Sequence, residues 1–150
     1  IGYEKILEAG KTERVFIIQG SQTPSVVLEK LPTEFLKKIH SIQKQKSVIL
    51  EGITSEKGLS IFADMTKPEL QSHYGRLTVV YLIPNNFLDF NEEIYVFRDI
   101  IIIIQPKVGK SLIIKDAITA QAFKMLIEFI EQYAKKIDLN SYIKELIDKK

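Results

Sequence analysis

Apolar and polar positions change their spacing several times along this chain, and the largest departure from any alternation is the run Ile100 to Ile104. Five isoleucines in a row leave no solvent-facing position, so the strand they form is expected to be covered on both faces. Helical spacing runs from Asp116 or Thr119, either of which can cap, to about Ile137. The polar residues Gln121, Lys124, Glu128, Glu131, Gln132 and Lys135 fall in one narrow stripe. The apolar remainder, including Phe123, Leu126, Ile127, Phe129, Ile130 and Tyr133, is wider than the usual ~100° and predicts two packing partners. One is the sheet, and the other is the terminal helix or another subunit. Asp138 or Asn140 then restarts a shorter helix with Leu139, Tyr142, Ile143, Leu146 and Ile147 as its apolar stripe.

Upstream, Gly2 to Glu8 has the pattern of a short helix and Arg14 to Gln19 that of a strand. The cluster from Gly20 to Pro24 turns the chain into the apolar run Ser25 to Leu28, read as a second strand in a loose hairpin. Pro32 opens a helix in which Phe35, Leu36, Ile39 and Ile42 face inward and Lys37, Lys38 and His40 outward. Val48 to Ile53 and Leu59 to Met65 read as a hairpin across Thr54 to Gly58. Arg76 to Ile83 is a further strand, and the link carrying Phe87, Leu88 and Phe90 is too apolar for free solvation. Ile94 to Gln105 and Ser111 to Lys115 form the last hairpin.

Short turns between consecutive strands predict a single α+β domain over residues 1–150, with a mainly antiparallel, curved sheet of about six to seven strands. A long C-terminal helix packs on one face, and a short helix follows the second strand. This element order resembles the helix-grip architecture of small apolar-ligand carriers, with profilin-like and pleckstrin-like arrangements as alternatives.

Composition narrows the partners. The chain of 150 residues has a net charge of +2, so it offers no global field for holding nucleic acid. It has no cysteine, which removes disulfides and thiolate chemistry. The opening IGYEKILEAGKTE is charged, with no apolar stretch of signal-peptide length, and no run approaches a membrane span, so a soluble, cytoplasmic protein is expected. Abundant isoleucine and lysine without tryptophan fits a thermophile or an AT-rich genome equally.

Candidate chemistry is sparse. Gly10-Lys11-Thr12 and Gly109-Lys110-Ser111 end like phosphate-binding loops, but Lys5 and Ile104 stand where the first glycine belongs. His40 and His73 share no metal-ligand spacing; His40 reads as solvated, and His73, near Glu69, Tyr74 and Arg76, as a surface link unless a cleft gathers it. Glu51, Asp64, Asp99 and Lys107 lack the spacing of a metal-dependent nuclease. No catalytic residue, cofactor or metal ligand is assigned, and the balance leans away from an enzyme. Lys30, Lys37, Lys38, Lys44 and Lys46 form a basic cluster able to contact phosphates, without aromatics to stack bases.

Excess apolar surface is the strongest signal. It predicts first an interaction or assembly module that binds a protein partner or a second copy through the apolar last strand and C-terminal helices. The alternative is a carrier whose cavity between sheet and C-terminal helix is lined by Phe62, Tyr81, Phe87, Phe90, Phe97, Phe123 and Phe129 and holds a small apolar ligand. Phe87, Phe90, Phe97, Phe123, Phe129 and Tyr133 are thus the candidate cavity or interface residues. The lysine cluster carries the remaining alternative, association with nucleic acid.

Overall fold

The computed structural model describes residues 2–150. A seven-stranded sheet runs through it in the order β6-β5-β4-β1-β2-β3-β7. The strands are β1 Arg14–Gln19, β2 Ile49–Thr54, β3 Leu77–Leu82, β4 Glu93–Phe97, β5 Ile100–Gln105, β6 Lys110–Lys115 and β7 Lys135–Asp138. The helices are α1 Gly2–Ile6, α2 Thr23–Lys30, α3 Thr33–Lys46, α4 Glu56–Leu59, α5 Lys67–His73, α6 Ala117–Glu131 and α7 Leu139–Asp148, with 3-10 turns at Ser60–Asp64 and Asn85–Leu88. The chain is α+β with a long helix on one face, as the pattern predicts.

The sheet is mixed rather than mainly antiparallel. β1 pairs with β2 and β2 with β3 in parallel, while the remaining four pairings are antiparallel. The expected hairpins are helical crossovers. Ser25 to Leu28 lies in α2, whose first turn holds Pro24, a residue that fits there because its missing N–H has no intrahelical acceptor. Leu59 to Met65 is α4 followed by a 3-10 turn, because the Ser55 hydroxyl accepts from the Gly58 N–H and caps a helix in place of a hairpin turn. A capping box of Thr66 and Glu69 then starts α5. Helical connections of this length return the chain to the same end of the sheet, which makes the next strand parallel. This centre departs from an antiparallel helix-grip sheet.

The isoleucine strand is covered on both faces: Ile100, Ile101, Ile102 and Ile104 are buried. Ile100, Ile102 and Ile104 pack with Phe97, Val15, Leu50 and α1 on one face, and Ile101 with Val96, Phe16 and α6 on the other. Arg98, at φ 52°, and Asp99 divide the long apolar segment into β4 and β5.

The long helix ends at Glu131, earlier than its pattern predicts, and the residues toward Ile137 form β7 against β3. Ala120, Phe123, Ile127 and Ile130 face the sheet. The terminal helix α7 does not cover the outer side of α6; Leu139 and Ile143 pack instead with Leu70, Met65 and Val80. All helices except α6 therefore crowd the α1 face or its β3 end. Among the described residues no helix is long and apolar enough to cross a membrane.

Candidate functional site

A cavity of about 180 Å³ lies between the parallel half of the sheet and α2, α3, α4 and α5. Its floor is set by strand register. Tyr95 pairs with Ile17, Ile17 with Gly52 and Gly52 with Val80, so one row crosses four strands. At Gly52 a methyl group would meet no atom within 4 Å, so the missing side chain leaves open space in the middle of that row. Val27 and Leu28 of α2, Leu36 and Ile39 of α3, and Leu59 and Phe62 form the apolar part of the wall.

Polar groups occupy the rest. Glu93 is 1% exposed, and its Oε2 accepts from the Tyr95 hydroxyl at 2.5 Å and the Tyr3 hydroxyl at 3.3 Å. Burial raises the Glu93 carboxyl above its usual range, with the hydroxyls and the Gln19 side chain pulling it partly back. The same burial, with the Glu93 charge beside it, raises both tyrosines and keeps them protonated donors. No Lys or Arg pairs with Glu93 among the described residues.

Toward the opposite ends of these strands, Arg76 lines the same cavity. Its Nη1 donates to Gln43 Oε1 at 3.1 Å, its Nε to the His73 carbonyl at 3.3 Å and its Nη2 to His73 Nδ1 at 2.8 Å. Burial lowers Arg76 to about 10, which leaves it charged near neutrality. Because His73 Nδ1 accepts from a guanidinium, the neutral ring carries its proton on Nε2. His40 lies against His73 with ring centroids 4.1 Å apart and contacts Ser72 Oγ at 2.8 Å through Nδ1. Burial, then the Arg76 and Lys44 charges, lower His40 to about 2. His73 is lowered well below its usual value by burial, Arg76, His40 and Lys44. Both rings are neutral over the ordinary pH range. On the floor nearby, Thr78 Oγ1 is buried with no hydrogen-bond partner among the described residues.

This cavity is on the face opposite α6, not between the sheet and that helix. Of the aromatic residues predicted to line a cavity, Phe62 alone does so. Phe97 is fully buried under α1, and Phe90, Phe123 and Tyr81 pack around the α6 core. Phe87, Phe129 and Tyr133 are exposed, Phe129 at 58% and Tyr133 at 76%. His40, which the helical pattern turns to solvent, is 5% exposed, and His73, read as a surface link unless a cleft gathers it, lines the cavity.

Three lysines of the basic cluster donate to main-chain carbonyls of other segments. Lys46 Nζ donates to the Leu7 and Ala9 carbonyls, Lys30 to that of Lys107, and Lys44 to that of Gln71. Lys37 pairs with Glu34 at 3.6 Å, and Lys38 is exposed. The described residues contain no group of three or more His, Asp or Glu side chains placed to hold a metal ion. Polar residues such as Glu93 and Thr78 escape a sequence reading because each sits at an inward position of a strand otherwise rich in apolar residues. An inward glutamate between Glu92 and Ile94 has no sequence mark distinguishing it from its neighbour. Comparison with protein-family models, curated proteins and solved structures gives no match.

Proposed function

We propose that this chain is a binding domain for a small organic molecule, held between the parallel strands and the helices that connect them. The observation that carries the reading is the 180 Å³ cavity over Gly52, walled by apolar side chains and a few buried polar groups. Interiors otherwise pack closely, and an engineered void of about 150 Å³ is large enough to admit benzene. Convergent polar groups with shifted pKa values in such a space are the usual mark of a ligand site. Native mass measurement of the purified chain tests it, before and after denaturation and refolding. Bound non-protein mass that Gly52→Leu abolishes supports the reading, and a bare wild-type chain that takes up no small molecule from a library overturns it.

Self-association through α6 is a second reading, supported by a separate observation. Ile118, Met125, Leu126 and Phe129 on the outer side of that helix, and Tyr133 in the turn after it, are each more than half exposed. At about 200 Å² for a large side chain they present roughly 700 Å², close to the ~800 Å² per partner of a standard interface. The spacing is self-complementary. About a two-fold axis between Met125 and Leu126, an antiparallel second copy sets Phe129 over the exposed Ala122 and Tyr133 beside Ile118. Sedimentation equilibrium of wild type and Leu126→Asp tests this: a dimer converted to monomer supports it, and a wild-type monomer at 100-fold dilution and at high concentration alike refutes it.

A further inference from the structure

The cavity has opposite chemistry at its two ends. At one end the Arg76 guanidinium meets only neutral acceptors, from Gln43 and His73, and no carboxylate bonds to it among the described residues. Thr78, whose buried hydroxyl has no partner there, is two residues further along the chain, in β3. At the other end is Glu93, bonded by hydroxyls and without a cation. Register separates the two levels: Thr78 lies level with Leu50, and Glu93 with Gln19, two residues beyond Ile17 in the row of Gly52. That is four residues along the strands, about 13 Å before the side chains reach inward. Gly52 keeps the space between them open.

A charge withdrawn from water without a counter-ion is costly; Glu93 is buried and Arg76 partly buried, and each lacks the group that would offset it. Building on the ligand-binding reading, on which the inference rests, we propose that the cavity takes a small amphoteric molecule whose carboxylate is bound by Arg76 and Thr78 and whose protonated amine is bound by Glu93. The Tyr3 and Tyr95 hydroxyls hold the Glu93 carboxylate in place and leave its remaining lone pairs for the amine. A molecule with only one of the two charges would leave the other protein group unpaired, so discrimination is built in. The volume suits a linear molecule of about eight non-hydrogen atoms, slightly larger than benzene.

Calorimetric titration of the full chain with four probes of one length decides the class: 5-aminopentanoate, pentanoate, pentylamine and 1-pentanol, with the ω-amino acids from 3-aminopropanoate to 6-aminohexanoate bracketing the span. The best amphoteric probe is expected to bind at least 10-fold tighter than either singly charged analogue. Arg76→Met should weaken pentanoate and spare pentylamine, and Glu93→Gln should do the reverse. If either variant fails to fold, the wild-type order of affinities still decides. Tightest binding of 1-pentanol or of a singly charged probe overturns the amphoteric class while leaving a binding cavity; failure of every probe to bind overturns the class, and the library screen then decides the broader reading.

Discussion

Two glycines of the parallel half respond to the same substitution with opposite sign. Gly52 has ordinary extended backbone, and an added methyl group enters open space. Alanine there restricts the unfolded chain, worth roughly 0.4–1 kcal/mol, and buries part of a methyl group, itself worth at most about 0.8 kcal/mol. A net gain near 1 kcal/mol raises Tm by about 2–4 °C in a chain of this size. At Gly20 the methyl would collide with the backbone carbonyl oxygen of Phe90 and sit 3.0 Å from that of Glu92, the oxygen that accepts from the Gly20 N–H. Neither oxygen can rotate away as a side chain does, so β1 must part from the segment 88–92, at a cost of about 2–3 kcal/mol. Urea unfolding followed by circular dichroism measures both. A Gly52→Ala variant less stable than wild type by about 1 kcal/mol or more would show that no cavity lies over β2, and with it the binding reading would fail.

Core and surface aromatics should separate cleanly: Phe97→Ala is expected to cost about 3–5 kcal/mol and Phe129→Ala less than about 1 kcal/mol in a dilute monomer, measured by the same unfolding curves. Glu131 is raised to about 7 by burial and by the adjacent Glu51 charge. Its contribution to stability is therefore full below its ordinary 4.5 and is lost as pH rises through about 7, so Glu131→Gln should flatten the fall of Tm across that window. His40 has the opposite sign, its pKa being depressed from 6.5 to about 2 by burial and by Arg76 and Lys44, with the His73 ring tilted against it and Ser72 bonded to it. Its contribution is full above pH 6.5 and is lost as pH falls, so His40→Asn should reduce the acid-side decline in Tm whatever it does to stability at neutrality.

The parts of the fold legible from the pattern are those whose periodicity has one interpretation. Five isoleucines allow no exposed face, and Ile100 to Ile104 are sandwiched as that requires. β1 begins and ends where its apolar run does, and α7 buries the stripe of Leu139 and Ile143. Ambiguity enters where an apolar stretch is short. Ser25 to Leu28 is too brief for period 2 and period 3.6 to be distinguished, and Leu59, Ile61, Ala63 and Met65 alternate like a strand although they form a helix and a 3-10 turn. Local signals point the other way. Pro24 two residues into α2, the Ser55 cap and the Thr66 to Glu69 capping box all mark helix starts, and they outweigh β-propensity because the two caps satisfy backbone donors of the first turn and Pro24 removes one that would have no acceptor there.

Those two ambiguous segments form part of the roof of the cavity. Val27 and Leu28 come from the first, and Leu59, Ile61, Phe62 and Met65 from the second. As strands they would have joined the sheet edge to edge and left no layer above Gly52; as crossovers they stand over the parallel strands and enclose space there. The same change of direction aligns β1, β2 and β3, so Gln19, Thr54 and Glu93 gather at one end of the cavity and Thr78 and Arg76 at the other. In an antiparallel hairpin the residues next to the turns would alternate between the two ends of the sheet, and this sorting of charge would not arise. Exposed apolar side chains do lie on α6, while the candidate site is made by residues whose meaning depends on strand direction, which spacing alone does not encode.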